Sequence, residues 1–123
     1  MTERAEEIIE RLALEPHPEG GWFRESYRSP ERLATGALPE RYGGERSVST
    51  AIYYLVTADS WSALHRVASD EVFHFYAGDP VRMLWLHPDG SAEEPLLGRD
   101  LRAGQRPQRM VTAGVWQGAR PVE

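Results

Sequence analysis

Four residues in one short stretch of this sequence have the types and spacing that chemistry requires. His65 lies near the end of one predicted strand and Glu71 opens the next. If a tight turn at 68–70 pairs these strands, the two side chains converge on one face, with Phe73 and Phe75 beside Glu71. An imidazole next to a carboxylate suits general acid–base catalysis and equally suits two ligands of a metal. A structural hydrogen bond inside a sheet is the third interpretation of the same pattern.

The elements that must position these residues are mainly strands. Apolar–polar alternation, β-branched residues and intervening turn residues mark several short segments. The predicted strands cover 22–28, 48–56, 61–67, 71–76 and 81–86, with weaker ones near 93–97, 107–112 and 115–119. This spacing predicts an all-β sandwich or barrel. A short helix precedes it, capped by Thr2 and ending near Leu14 before two prolines.

Length and composition narrow the possible functions. A chain of 123 residues has room for one core, so residues 1–123 are predicted to form a single domain. The net charge of −5 and the lack of a basic run argue against nucleic-acid binding. The longest wholly apolar run, at 51–56, is too short to cross a bilayer, and no signal peptide is evident. We therefore expect a cytoplasmic protein without membrane contact. With no cysteine, thiolate chemistry is absent.

Several runs in the chain resemble a known family. Glu71 followed by Gly78, with His65 before it, is similar to the first motif of the cupins, and 104–117 resembles the second. The runs that resemble one particular cupin family, first catalogued as a domain of unknown function, are PHPEGGWFRE (16–25), STAIYYL (49–55), HFYAGDP (74–80), AGQRPQ (103–108) and AGVWQGA (113–119). The resemblance implies a cupin jelly-roll barrel, similar to dTDP-4-dehydrorhamnose 3,5-epimerase, that assembles as a homodimer.

The similarity to those epimerases implies a set of catalytic roles. His65 corresponds to a base that removes a proton next to a carbonyl, and Glu71 to the acidic residue that orients it. These epimerases also have a tyrosine that acts as an acid, and Tyr53 is the candidate for that role. Tyr54 is the alternative, because strand alternation does not decide which of the two faces inward. Arg24 is a further candidate for binding a phosphate or carboxylate, and it is expected to share a strand face with Arg28.

Cupins that bind metals imply a different use of the same pocket. Two of their usual histidine positions hold Val67 and Gln117 here, which leaves His65, Glu71 and Gln117 as the available ligands. Such a set predicts at most loose binding of a divalent metal. Trp116 adjoins Gln117 and is expected at the mouth of the pocket, where it would contact a ligand.

Three functions follow, all in one pocket. The preferred one is a metal-independent isomerase or epimerase acting on a sugar-nucleotide-like molecule. The others are a metal-dependent cupin enzyme and a non-catalytic binder of a small-molecule ligand. Members of the resembled family continue past the last motif, whereas this sequence stops at Glu123. We therefore expect that the last strands are lacking or that a partner subunit covers an open sheet edge.

Overall fold

The computed structural model describes residues 2–122 and begins with a helix, α1 (Glu3–Leu12). The side chain of Thr2 caps it by accepting a hydrogen bond from the amide of Ala5 at 3.2 Å, as the sequence predicts. The helix ends two residues earlier than expected, because Ala13 takes a left-handed conformation with φ of 53°. No helix in this range is long and apolar enough to cross a membrane.

Thirteen strands follow within the described residues. In chain order they are β1 (Glu15–Pro16), β2 (Trp22–Arg28), β3 (Arg32–Leu33), β4 (Arg46–Ser47), β5 (Thr50–Leu55), β6 (Ser62–His65), β7 (Glu71–His74), β8 (Val81–Leu86), β9 (Ala92–Glu93), β10 (Leu96–Leu97), β11 (Gln105–Arg106), β12 (Gln108–Val111) and β13 (Trp116–Pro121). The bounds of β2 and β8 match the sequence prediction. The stretch between β2 and β5 holds two short 3₁₀ turns and the small β3–β4 hairpin.

The strands form one large sheet and several smaller groups. The large sheet has the order β11-β10-β8-β13-β6, with β9 added to β8. A second sheet has the order β1-β2-β5, and β7 pairs with β12. The core lies between the large sheet and the β7–β12 pair, where buried residues from both sides meet. Its buried members are Met83, Leu97, Val111 and Val115. This two-layered arrangement, antiparallel except for the β10–β11 pair, has one short helix and confirms the predicted all-β jelly roll.

The strands that carry His65 and Glu71 do not form the hairpin considered from the sequence. β6 pairs with β13 in the large sheet, while β7 pairs with β12 on the opposite side. Residues 66–70 therefore carry the chain from one layer to the other, and residues 112–115 carry it back. The two connections are joined because Gly114 donates its amide to the carbonyl of Val67 at 3.0 Å. Residues from β6 and β7 consequently meet across the interior.

Candidate functional site

Three side chains form a row across the inner face of the large sheet. Gln117 on β13 lies between Trp85 on β8 and His65 on β6 in the strand register. Residues directly opposite in neighbouring strands project to the same side. That side is the interior, because Gln117 is only 2% exposed and Met83, on the same face of β8, is 1% exposed.

Glu71 reaches this row from the opposite layer. The amide nitrogen Nε2 of Gln117 donates a hydrogen bond to Oε1 of Glu71 at 2.9 Å. A carboxylate accepts hydrogen bonds, so the amide nitrogen rather than the amide oxygen must face it. Gln117 therefore links the two layers and brings His65 and Glu71 around one point in the interior.

The tautomer of His65 is set by the backbone. Its Nδ1 lies 2.7 Å from the carbonyl oxygen of Ala63. A carbonyl oxygen can only accept, so Nδ1 carries the proton of the neutral ring. Nε2 then has a free lone pair. The imidazole is thus held in the form that can accept a proton or ligate a metal.

Of the two adjacent tyrosines, Tyr54 is the one near this group. Burial raises the pKa of Tyr54 above its ordinary value of 10.0, and a hydrogen bond with Ser62 partly opposes the shift. The negative charges of Glu19 and Glu71 raise the pKa further. Tyr54 donates its hydroxyl proton to the carbonyl of Gly20. It is therefore a neutral residue whose proton is already engaged.

Tyr53 and Arg24 lie together on another face. They are register partners on β5 and β2, so both point away from the side occupied by Tyr54. Tyr53 is 40% exposed. The structure therefore does not bring either residue to Glu71 within this chain.

A bulge in β2 separates the two arginines that were expected to share a face. The pairing with β5 shifts between Glu25 and Tyr27, so Ser26 is an extra residue. Arg28 consequently lies on the face opposite to Arg24, where it forms an ion pair with Glu25 at 2.6 Å. The predicted common face of Arg24 and Arg28 is wrong for this reason.

The aromatic residues divide between the two sides of the sheets. Phe73 and Phe75 are half-buried and pack against the core on the side of Glu71. Trp116 lies on the outer face, because adjacent residues of a strand point in opposite directions and Gln117 points inward. It is 41% exposed, and the guanidinium carbon of Arg66 lies 5.1 Å from its ring centroid. Trp116 therefore does not line the inner site.

Trp85 is not among the site residues that were predicted from the sequence. Its indole nitrogen is buried, and it has no hydrogen-bond partner in the part of the chain that is described. A buried donor without a partner costs about 1–3 kcal/mol. The inward alternation of Val81, Met83 and Trp85 could have placed this side chain in the interior, but the missing partner is visible only in three dimensions.

The donor set fits a metal poorly. Within residues 2–122 no group of three or more His, Cys, Asp or Glu side chains is placed to hold an ion. His65 and Glu71 supply two strong ligands, and the amide nitrogen of Gln117 faces Glu71.

A separate groove of about 250 Å³ lies along β8 and β13 of the large sheet. Its lining residues are Trp61, Ser62, Arg82, Met83, Leu84, Glu94, Gly118, Ala119 and Arg120. It contains none of His65, Glu71 and Gln117. The groove is therefore separate from the polar group that these three side chains form.

A family comparison agrees with the fold. The sequence model described as the Cupin superfamily (DUF985) matches residues 6–123. The chain belongs to this family. The resemblance seen in the sequence and the predicted jelly roll are therefore both confirmed.

Relatives of this cupin have similar folds and longer chains. A solved protein from Leishmania major, described as hypothetical, is 34% identical with a TM-score of 0.84 over 94% of this chain and 69% of its own. Protein SO0799 from Shewanella oneidensis is also 34% identical, with a TM-score of 0.86. The match covers 97% of this chain and 70% of the Shewanella protein. The uncharacterized protein YML079W of Saccharomyces cerevisiae is 29% identical over 117 residues, which are 91% of this cupin and 58% of the yeast protein. This cupin thus spans less than two thirds of the yeast relative.

Proposed function

We propose that this cupin binds a small hydroxylated metabolite, of the sugar-nucleotide kind, inside the barrel beside His65, Glu71 and Gln117. We further propose that His65 removes a proton from a carbon next to a carbonyl group of that molecule. The observation that carries the proposal is the contact between Nδ1 of His65 and the Ala63 carbonyl. It leaves Nε2 as a free base on the inner face.

The chemical step is a simple proton transfer. The C–H bond breaks, its proton moves to Nε2, and the electron pair moves onto the carbonyl oxygen to form an enolate. Return of the proton from Nε2 gives back the substrate, whereas a proton from water added to the opposite face gives the epimer, after which His65 releases its proton to solvent. Gln117 holds the carboxylate of Glu71 in place beside the imidazole. No oxidant or second substrate is needed.

Deuterium exchange tests this proposal directly. The protein is incubated in D₂O with a thymidine diphosphate keto-deoxyhexose, and NMR follows the loss of the proton next to the carbonyl. We expect His65→Ala to slow exchange about a hundredfold or more, the usual contribution of a general base. His74→Ala is the matched control, because His74 is exposed on the opposite face of β7 from Glu71. Absence of exchange with the unchanged protein contradicts the enzymatic part.

The second candidate is binding without turnover. It is favoured by Tyr54, whose proton is donated to Gly20 and is not free to protonate a substrate. In that case the same nucleotide sugar binds without exchange, and His65→Ala retains most of the affinity. Isothermal titration calorimetry on both proteins separates this outcome from catalysis.

The third candidate is a metal-dependent cupin enzyme, and the first measurement that tests it is the metal content of the protein. Mass spectrometry of the purified protein and of His65→Ala reports whether an ion co-purifies. Near-stoichiometric metal that is lost in the variant would establish a metal-dependent cupin and overturn the proton-transfer proposal. Metal at background in both proteins leaves the nucleotide-sugar assays as the next step.

We also propose that the chain assembles as a homodimer, as the family resemblance implies. The outer face of the large sheet supports this proposal, because it carries two exposed leucines. Leu64 is 45% exposed and Leu84 is 36% exposed. Gly118 is the register partner of Leu84, and a side chain added there would contact the backbone of Leu64. The two exposed leucines thus lie on either side of a buried glycine and offer apolar surface to a second copy.

A further inference from the structure

The indole N–H of Trp85 combines two properties that a binding group for a ligand needs. It lies in the same row as Gln117 and His65, and it has no acceptor among the described residues. Trp85 as a whole is of intermediate burial, although its nitrogen is shielded. Buried polar groups in folded proteins nearly always have a partner, so an isolated one calls for an explanation.

The spacing of the row allows Trp85 and His65 to contact one small molecule. Neighbouring strands lie about 4.8 Å apart, so the backbones of these residues, two strands apart, are separated by about 10 Å. Both side chains project from the same face into the interior. The indole on one side and the imidazole on the other can therefore contact one sugar-sized ligand, which has to enter beside the hydrogen-bonded pair of Gln117 and Glu71.

We propose that the indole N–H of Trp85 donates a hydrogen bond to the carbonyl oxygen of the metabolite bound at this site. The inference rests on the proposed function and specifies its ligand: an oxygen acceptor next to the carbon from which His65 takes the proton. Negative charge develops on that oxygen as the proton leaves, and a donor fixed beforehand stabilises it most at that moment. Tyr54 does not compete for this role, because its proton is donated to Gly20.

The ligand must gain access to the nitrogen edge of the indole. Nε1 is shielded from solvent in the ligand-free protein. We therefore expect binding to shift a neighbouring side chain, and we expect the indole proton to exchange slowly with water before the ligand is added.

The test uses the indole N–H signals of the four tryptophans in uniformly ¹⁵N-labelled protein. The Trp85 signal is assigned by its loss in Trp85→Phe, and the thymidine diphosphate keto-deoxyhexose is titrated into the unchanged protein. We expect a downfield shift of the Trp85 indole proton. Trp85→Phe should bind the same probe about tenfold more weakly, equivalent to about 1.4 kcal/mol. Trp116→Phe, on the outer face, should bind it normally.

The outcomes separate this inference from the proposed function. If the probe binds and shifts the ring signals of His65, while the Trp85 indole stays unmoved and Trp85→Phe keeps full affinity, the role of Trp85 is refuted and the site stands. If the probe does not bind to the unchanged protein, both proposals fail together. The NMR titration of the unchanged protein decides the matter even if Trp85→Phe does not fold.

Discussion

Gln117 is the residue that joins the two layers at the site. Its side chain is buried and donates to the carboxylate of Glu71 across the interior. Hydrogen bonds to charged groups contribute about 1.5–3 kcal/mol, so the pair should be strongly coupled. We expect Gln117→Leu and Glu71→Leu each to lower the free energy of unfolding. The two losses should not be additive, and the coupling free energy should be about 1.5–3 kcal/mol. Urea denaturation of both single variants and the double variant measures it, and additive effects would show that the bond is energetically unimportant.

The raised pKa of Tyr54 predicts that the folded protein loses stability at alkaline pH. Its pKa in the folded protein is raised, first by burial, above the ordinary value of 10.0. The folded state therefore keeps the proton more tightly than the unfolded state does. The resulting stability is complete below pH 10.0 and is lost as the pH rises through the raised pKa of the folded protein.

The matched comparison is between two neighbouring tyrosines. We expect Tyr54→Phe to flatten the fall in unfolding free energy above pH 10.0, relative to the unchanged protein. Tyr53→Phe serves as the control, because Tyr53 is 40% exposed on the other face of β5. Urea denaturation at neutral pH and above pH 10.0 gives the slopes. Equal slopes for all three proteins would contradict the buried environment of Tyr54.

The turn at 17–21 positions Tyr54, and Gly20 is the residue that makes its close packing possible. Gly20 has φ of 107°, and a Cβ placed there would lie 2.0 Å from the carbonyl oxygen of Trp61. Gly90 has a similar φ of 89° but no atom within 4 Å of such a Cβ. Both substitutions by alanine incur backbone strain of about 1–3 kcal/mol, and Gly20→Ala adds a steric clash.

We therefore expect Gly20→Ala to lower the free energy of unfolding clearly more than Gly90→Ala does. Urea denaturation of the two variants gives the difference. A similar loss in both would mean that the turn can move away from the strand that follows Trp61, and that Tyr54 is not held as tightly as its bond to Gly20 indicates.

The sequence predicted the elements well wherever a strand was long enough to show alternation. β2, β8 and the helix are examples. The two-residue strands β1, β3, β4 and β11 were missed because two residues cannot display a period.

The orientation of single side chains was less predictable. The bulge at Ser26 reverses the face of Arg28, and the choice between Tyr53 and Tyr54 depends on how β5 lies against the rest of the fold.

Three residues of the candidate site were predicted from the sequence, but the way in which they come together was not. His65, Glu71 and Gln117 were identified by motif, and the structure brings them together. They meet across two layers, however, and not on one hairpin, because β6 and β7 pair with different strands. Such long-range pairing leaves no local signal in the sequence. The same is true of Trp85, whose unpaired donor depends on the absence of an acceptor around it.

At the scale of the whole molecule, the outer face of the large sheet predicts self-association. Leu64 and Leu84 are exposed on either side of Gly118, and burying them against a second copy would remove apolar surface from water. We expect the protein to elute as a dimer in size-exclusion chromatography with light scattering, and Leu84→Lys to shift it toward the monomer. Val72→Lys is the control, because Val72 is 50% exposed on β7, which lies outside the large sheet. A monomer in the unchanged protein, or dissociation by both variants alike, would show that this face is not the interface.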